Sequence, residues 1–183
     1  MKKLTSTLLL ALFTVVAFAT DKIFLHSGKV IDGKVVKLEE FTVVYKYDGE
    51  DAEQTISKKA VDKIQYTSGR EEHVSDKIVI NGKDDWEKVE ILMDKGEIVG
   101  LKKMGEVKGK STGGLSGSKS DKKANMKLLQ DAASMNCPFV YLTADQKSSG
   151  GGWGGYGGGI ASIASANQSL KKGNAYTYED AGK

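Results

Sequence analysis

The sequence predicts an α+β protein, in which a small N-terminal β-barrel precedes an α/β domain with one main helix packed on a mixed sheet. Residues 21–66 hold five short apolar segments separated by turn-forming residues, a pattern typical of small all-β units. Residues 119–135 instead place small and apolar side chains at helical spacing. The 183 residues, 39% of them hydrophobic, supply enough apolar material for this arrangement.

The first 19 residues have the pattern of a secretory signal peptide. A lysine-containing start leads into an apolar run at residues 8–18, and Ala17-Phe18-Ala19 supplies the A-x-A pattern before a cleavage point at Thr20. The apolar run is well short of the roughly 20 residues that a membrane-spanning helix needs. We therefore expect a mature chain that is periplasmic or secreted and has no transmembrane segment.

Charge and cysteine content argue against several classes of function. The chain has 27 basic and 24 acidic residues, and loss of Lys2 and Lys3 with the signal leaves 25 against 24. A charge so near balance, without a basic stripe, argues against nucleic acid as a partner. One cysteine and two histidines argue against a disulfide framework, a cysteine-built zinc site and a histidine-rich metal centre. We therefore predict no cofactor and no metal.

Residues 20–75 form the predicted barrel domain. Asp32-Gly33 and Asp48-Gly49 are typical hairpin dipeptides. The odd-numbered residues from Phe41 to Tyr47 are apolar or aromatic, and this alternation predicts a half-buried strand. Strands this short would leave exposed edges in an open sheet, and closure into a barrel removes such edges. The predicted strands cover residues 22–26, 34–38, 41–47, 54–57 and 61–66.

Residues 76–87 are predicted to be a polar linker with one short strand at 77–80, and residues 88–180 to be the α/β domain. The main helix begins near Ser118, where Asp121 approximates a capping box, and it ends before Pro138. The predicted strands of this domain cover residues 88–93, 97–101, 106–110, 139–143 and 174–178, with a glycine-rich loop at 148–159 and a weak helix at 160–166.

Several short motifs are spaced along the first half: Asp21-x-Ile23, the turn at Gly28, Gly33-Lys34-Val35, Tyr45-Lys46 and Val61-x-x-Ile64-x-Tyr66. With this spacing the segment resembles a small Sm-like or SH3-like barrel found in exported proteins of Bacteroidetes-type bacteria. Such barrels mediate binding or packing, so the resemblance implies a binding role. Cytoplasmic Sm relatives bind RNA, which we do not expect of an exported chain.

The second half has its own motifs: residues 99–109 (VGLKKMGEVKG), an alanine-containing helix at 119–135, FVYL at 139–142 and GNAY at 173–176. Together they resemble the fold of Rcs-type envelope stress-sensor lipoproteins and their small relatives of unknown function. The resemblance implies an envelope protein. The lipid anchor of the sensor and the paired cysteines of its relatives are missing here, so the resemblance does not extend to disulfide-dependent signalling.

Trp153 and Tyr156 interrupt the glycine-rich loop and are the candidate partner-binding residues. Exposed aromatic rings on such a loop can dock on a partner, a glycan or a membrane surface, and they can equally fold back over the sheet. The loop also matches G-x-G-x-x-G at Gly150, Gly152 and Gly155. Eight glycines in ten residues produce this match by chance, so we assign no dinucleotide site.

No catalytic constellation stands out, and we predict no catalytic residue. Cys137 is predicted to be a small buried residue. His26 and His73 are predicted to occupy surface or turn positions, because neither belongs to a metal-ligand motif. Two acidic clusters are predicted to be solvated rather than to bind Ca²⁺: Asp48, Glu50 and Asp51 in the first half, and Asp84, Asp85 and Glu87 before the second.

These observations favour an exported, non-enzymatic envelope protein that acts through protein–protein or surface interaction, with a link to envelope stress or assembly. Its partner would be an unknown envelope protein or a cell-surface component. The alternative is a periplasmic glycan-binding or ligand-binding protein or a hydrolase, which the acidic clusters and the loop aromatics suggest. A third interpretation is that the barrel carries oligomerisation.

Overall fold

A computed structural model describes residues 20–111, 117–149 and 167–179. These residues form ten strands in two sheets and one α-helix. None of the helices in these stretches combines the length and the apolarity that crossing a bilayer requires. The elements are β1 (Asp21–Leu25), β2 (Val30–Leu38), β3 (Thr42–Tyr47), β4 (Glu53–Ser57), β5 (Val61–Gln65), β6 (Glu71–His73), β7 (Glu90–Leu92), β8 (Leu101–Ser111), α1 (Gly117–Ser134), β9 (Phe139–Ser149) and β10 (Asn167–Tyr178).

The first sheet has the strand order β4-β3-β2-β1-β5-β6, and all neighbouring strands are antiparallel. β1 lies in the middle, where Ile23 is opposite Ile31 of β2 and Ile64 of β5. Ile23 and Ile64 are fully buried, together with Val43 and Val61. These side chains form the core of the first sheet and hold together the strands on the two sides of β1.

Asp21 connects three parts of this sheet. Its carboxylate accepts hydrogen bonds from the N–H of Val35 (2.9 Å), the N–H of Thr67 (2.8 Å) and the hydroxyl of Thr67 (3.0 Å). Burial raises the pKa of this carboxyl, but the three hydrogen bonds and the charge of Lys34 outweigh burial, so its pKa lies below the ordinary value. Asp21 therefore stays charged and fixes β1 to β2 and to the turn after β5.

The predicted closed barrel is not found. β4 and β6 stand at opposite ends of the strand order, and no pairing joins them within the described residues. Only the C-terminal end of this edge of β4 is covered by the chain after β7, where the N–H of Ser57 donates to the carbonyl of Val99 at 2.9 Å, whereas residues 53–55 are exposed. Covering an edge with another segment satisfies its backbone groups, as closure would.

The second sheet confirms the predicted mixed sheet with one main helix. Its order is β7-β9-β10-β8, with β7 parallel to β9 and the other pairs antiparallel. α1 packs across β8, β10 and β9. The core between helix and sheet consists mainly of small and branched side chains, among them Val107, Leu128, Ala132, Val140 and Ala175.

α1 lies in backbone contact with β8 at Gly109. A Cβ atom added at Gly109 would overlap the carbonyl oxygen of Ala124 and lie 2.8 Å from the backbone nitrogen of Leu128. Gly105, on the same strand, differs, because a Cβ atom there would meet only Cε of Met135, at 2.7 Å. The end of a methionine can move aside, whereas helix backbone cannot, so only Gly109 sets how closely α1 approaches the sheet.

Two of the predicted strands are absent. Residues 95–98 form a 3-10 helix because Asp94 and Glu97 make a capping box, so that β8 begins only at Leu101. Residues 77–80 form no strand. In this segment Ile80 is buried in the core of the second sheet, and Ile78 packs on it.

The two sheets pack against each other around Gly100. This residue has φ = +78°, and an added Cβ atom would lie 2.8 Å from Cγ1 of Ile56 on β4. Leu101 contacts the cores of both sheets. A further contact between the two parts is made by His26 and Tyr178, whose ring centroids lie 5.1 Å apart. The first sheet and the second half of the chain therefore share one interface.

We expect Gly109→Ala to lower the free energy of unfolding by about 2–3 kcal/mol, because the added methyl group forces α1 away from β8. Gly105→Ala is the matched control on the same strand, and its effect should stay within about 1 kcal/mol of zero. Urea denaturation followed by far-UV circular dichroism measures both values. Equal effects of the two substitutions would contradict the backbone contact.

Candidate functional site

A groove of about 300 Å³ opens where the first sheet meets the second half of the chain. Its walls come from four stretches that are far apart in sequence, and they combine apolar side chains with charges of both signs. The lining residues are Glu40, Phe41, Lys58, Lys59, Val74, Ser75 and Glu97.

Local hydrogen bonds fix the walls of the junction groove. Phe41 comes directly before β3, and its carbonyl accepts a hydrogen bond from the N–H of Lys58 at 2.8 Å. Lys58 begins a short 3-10 helix, Lys58–Ala60, which the side chain of Ser57 caps. Glu97 is held on the opposite side by the capping box before β8. The groove is therefore formed by capped turns rather than by free loops.

The charges of the groove are unequally paired. Lys59 forms an ion pair with Glu90 on β7, which links the two halves of the chain. The Glu97 carboxylate accepts backbone N–H bonds. Lys58 forms no ion pair within the part of the chain that the structure describes. With Phe41 36% exposed, the groove offers an aromatic ring and an unpaired cation to an incoming ligand.

Ser75 connects the groove to the buried ring of His26. Ser75 Oγ lies 2.9 Å from His26 Nε2, 2.9 Å from the carbonyl of Lys58 and 2.8 Å from the carbonyl of Val61. A hydroxyl has one proton, and the carbonyls can only accept, so Ser75 donates to a carbonyl and accepts from Nε2–H of His26. The imidazole therefore does not act as a base toward Ser75 in this arrangement.

His26 lies in the turn after β1, as predicted, but it is buried, with 8% of its surface exposed. Burial lowers the pKa of His26, and the nearby charges of Lys77 and His73 lower it further, whereas Asp62 and Asp76 oppose the change. The net pKa lies below the ordinary value, so His26 is neutral near neutral pH.

His73 is exposed, which confirms its predicted surface position. Its Nε2 lies 3.1 Å from a carboxylate oxygen of Asp76, and its Nδ1 lies 3.7 Å from Asp62. Because all three side chains are on the surface, these contacts are screened by water and contribute little. His73 and His26 therefore do not form a common site.

A polar cluster in the second half of the chain is centred on Lys171 of β10, which is its most buried charged side chain. Its Nζ lies 2.8 Å from Asp145 and 3.3 Å from Asp121, and Ser169 also donates to Asp121. Burial lowers the pKa of Lys171, but the hydrogen bonds to Asp145 and Asp121 outweigh burial, so its pKa lies above the ordinary value. An ammonium that stays protonated cannot serve as a general base. The contacts of Lys171 instead join α1 to β9 and β10.

Cys137 is free and fully buried, which confirms the prediction. Burial raises the pKa of its thiol to about 11. The nucleophile of a cysteine enzyme is the thiolate, which this setting disfavours. Cys137 therefore fills space in the second core beside Leu129 and Ala133.

The structure describes only part of the other predicted residues. Residues 148–149 of the predicted glycine-rich loop belong to β9, whereas the rest of the loop, with Trp153 and Tyr156, and the predicted helix at 160–166 lie outside the described residues. Both acidic clusters are largely exposed, and Asp85 pairs with Lys88 at 2.7 Å. Across residues 20–111, 117–149 and 167–179, no three histidine, cysteine or acidic side chains are placed so that they could hold a metal ion.

Sequence reasoning missed the junction groove, because its residues lie in four separate stretches and none belongs to a motif. The one local signal was Glu40-Phe41, an aromatic residue beside an acid at the start of a strand. Comparison of the chain with protein-family models, with curated proteins and with solved structures finds no match.

The neutral, buried state of His26 predicts a loss of stability in mild acid. Its folded pKa lies below the unfolded value near 6.5, so the unfolded chain binds the proton more readily and stability falls as pH drops through this region. The slope reaches at most about 1.4 kcal/mol per pH unit. His26→Gln keeps an N–H donor for Ser75 and should flatten the curve.

Chemical denaturation at a series of pH values between about 7 and 5, above the usual range of carboxyl titration, measures this dependence. His73→Gln is the matched control, because it removes the exposed histidine and leaves burial, the largest cause of the lowered pKa of His26, unchanged, so most of the slope should remain. A wild-type curve that is flat over this range would show that the interpretation is wrong.

The burial of Cys137 predicts a thiol that resists modification. In the native protein at about pH 8, a thiol-specific reagent should react at least 100-fold more slowly than with the same protein in denaturant, since the group is both inaccessible and protonated. Absorbance of the released chromophore measures both rates. Rapid labelling of the native protein would contradict the structure at this position.

Proposed function

We propose that this chain is an exported, non-enzymatic envelope protein that binds another protein at the junction groove. The observation that supports this function is the placement of a half-exposed aromatic ring, Phe41, beside Lys58, whose charge has no ion-pair partner in the described chain. Aromatic anchors beside polar groups are typical of interaction hot spots. The ligand that fits is an extended protein segment with one apolar side chain for Phe41 and Val74 and a carboxylate for Lys58.

The state of the reactive side chains favours binding over catalysis. The Cys137 thiol is buried with a raised pKa, and the Lys171 ammonium is held between two carboxylates. The Ser75 hydroxyl lies against backbone carbonyls. Each of these groups is engaged in a contact that stabilises the fold, and none is poised as a nucleophile or a base.

Export and the envelope context are proposed from the leader at residues 1–19 and from the resemblances of the two halves. The likeness of the second half to Rcs-type stress sensors supports a link to envelope stress or assembly. The likeness of the first half to Sm-like or SH3-like barrels supports a binding role. Trp153 and Tyr156 are proposed as a further contact.

The test is cross-linking in the native envelope followed by quantitative recovery of the captured partner. Phe41→Ala and Lys58→Glu should each reduce recovery of the same partner about ten-fold or more, because one removes the aromatic anchor and the other reverses the charge. Trp153→Ala with Tyr156→Ala should also weaken capture if the loop takes part.

Tyr47→Ala is the matched control, because Tyr47 is an aromatic residue of similar exposure at the other end of β3. This variant should retain the partner. Undiminished capture by both groove variants would remove the junction groove from the proposed function, and loss of capture by Tyr47→Ala alone would place the contact at the opposite end of the sheet.

A further inference from the structure

Charge is unevenly divided along the chain. Residues 101–127 contain eight lysines and two acidic residues, whereas residues 20–100 contain 13 basic and 18 acidic residues. The near balance of the whole chain therefore conceals a strongly basic segment beside an acidic one. Such asymmetry points to an interaction of the basic segment with an anionic surface or polymer.

The fold places β8 beside α1, so that Lys108 and Lys127 line one groove. The N–H of Lys108 on β8 donates to the carboxylate of Asp131 on α1 at 3.1 Å, and Nζ of Lys127 donates to the carbonyl of Lys110 at 3.0 Å. Lys119 and Lys123 precede Lys127 by eight and four residues, so they continue the same line along the helix. We call Lys108, Lys110, Lys119, Lys123 and Lys127 the basic face; all five are exposed.

A shallow groove of about 250 Å³ lies within this surface. Its lining residues are Lys83, Lys108, Lys127, Gln130, Asp131 and Ser134. Asp131 is the one acidic residue among them, and its carboxylate accepts the hydrogen bond from the N–H of Lys108. The groove has room for one phosphate-bearing headgroup.

The lysines of the basic face differ from those of the first sheet in how they are paired. Within the described residues, none of the five forms an ion pair. Lysines of the first half commonly do, as shown by Lys22 with Asp32, Lys37 with Glu39 and Lys63 with Glu71. The charge of the basic face is therefore available to an external anion.

The residue types on the basic face favour a layer of phosphates over nucleic acid. Neither β8 nor α1 contains an aromatic residue, and the one arginine of the chain, Arg70, lies in the first half. Base recognition relies on arginine forks and on stacking with aromatic rings. Separated lysine ammonium groups instead match a flat array of anionic headgroups, with affinity that grows with each lysine. Met104, 46% exposed on β8, adds an apolar side chain next to Lys103.

We propose that the basic face docks the protein onto the surface of a bilayer that contains anionic phospholipids, with one headgroup phosphate seated between Lys108 and Lys127. This surface is separate from the junction groove, so membrane docking and partner binding can occur together. The contact is electrostatic and superficial, and it weakens as salt increases.

Sedimentation of the purified protein with vesicles tests the proposal. Vesicles of phosphatidylcholine with about one third phosphatidylglycerol should bind the protein, pure phosphatidylcholine vesicles should not, and raised salt should release it. The triple variant Lys108→Gln, Lys123→Gln, Lys127→Gln should lower the partition coefficient about 100-fold, since each of the three lysines contributes about five-fold.

The matched control removes three ion-paired lysines from the first sheet: Lys22→Gln, Lys37→Gln, Lys63→Gln. This control changes the net charge by the same amount as the triple variant of the basic face, and it should retain vesicle binding. Phe41→Ala, which alters only the junction groove, should also retain vesicle binding. Circular dichroism establishes that each variant is folded.

Three results would overturn the proposal. They are equal binding to neutral vesicles, an equal loss in the control triple variant, and complete displacement from vesicles by an oligonucleotide at an equal concentration of phosphate. The last outcome would assign the basic face to nucleic acid instead.

Discussion

The contact of β4 with the chain after β7 determines how the rest of the molecule is arranged. There the N–H of Ser57 meets the carbonyl of Val99, and Gly100 fits beneath Ile56 because it has no side chain. This contact covers the C-terminal end of β4 at the edge of the first sheet, and Glu97 lines one groove with Lys58 and Phe41. The junction groove exists because an edge strand was protected by a neighbouring segment instead of by closure.

Acidic and basic residues are unevenly distributed between the two halves of the chain. In the first half, acidic residues outnumber basic ones and many lysines pair with them, whereas the five lysines of the basic face form no ion pair within the described residues. Charges placed in this way repel one another. An anionic bilayer surface would relieve that repulsion, while the junction groove stays free to bind a protein.

Local patterns predicted the elements well. The alternation from Phe41 to Tyr47 and the periodicity of α1 depend on neighbours in sequence, and the predicted strand and helix are both found. Burial along β3 does not alternate as predicted, since residues 42–45 are all buried whereas Phe41 and Tyr47 are exposed. The prediction of a strand at residues 97–101 was wrong, because a capping box between Asp94 and Glu97 stabilises a 3-10 helix at residues 95–98. The junction groove could not be predicted, because it depends on how two sheets pack. The basic face could have been found by counting charge over short windows instead of over the whole chain.

β10 is the last strand in chain order, yet it lies in the interior of the second sheet, between β9 and β8. Until it arrives, β8 has no strand to pair with among the described residues, and the N–H of Ile78 cannot donate to the hydroxyl of Tyr178. Contacts this distant in sequence form slowly. The second half therefore assembles only after its final strand has been synthesised, so a chain truncated before β10 would leave this sheet without its centre.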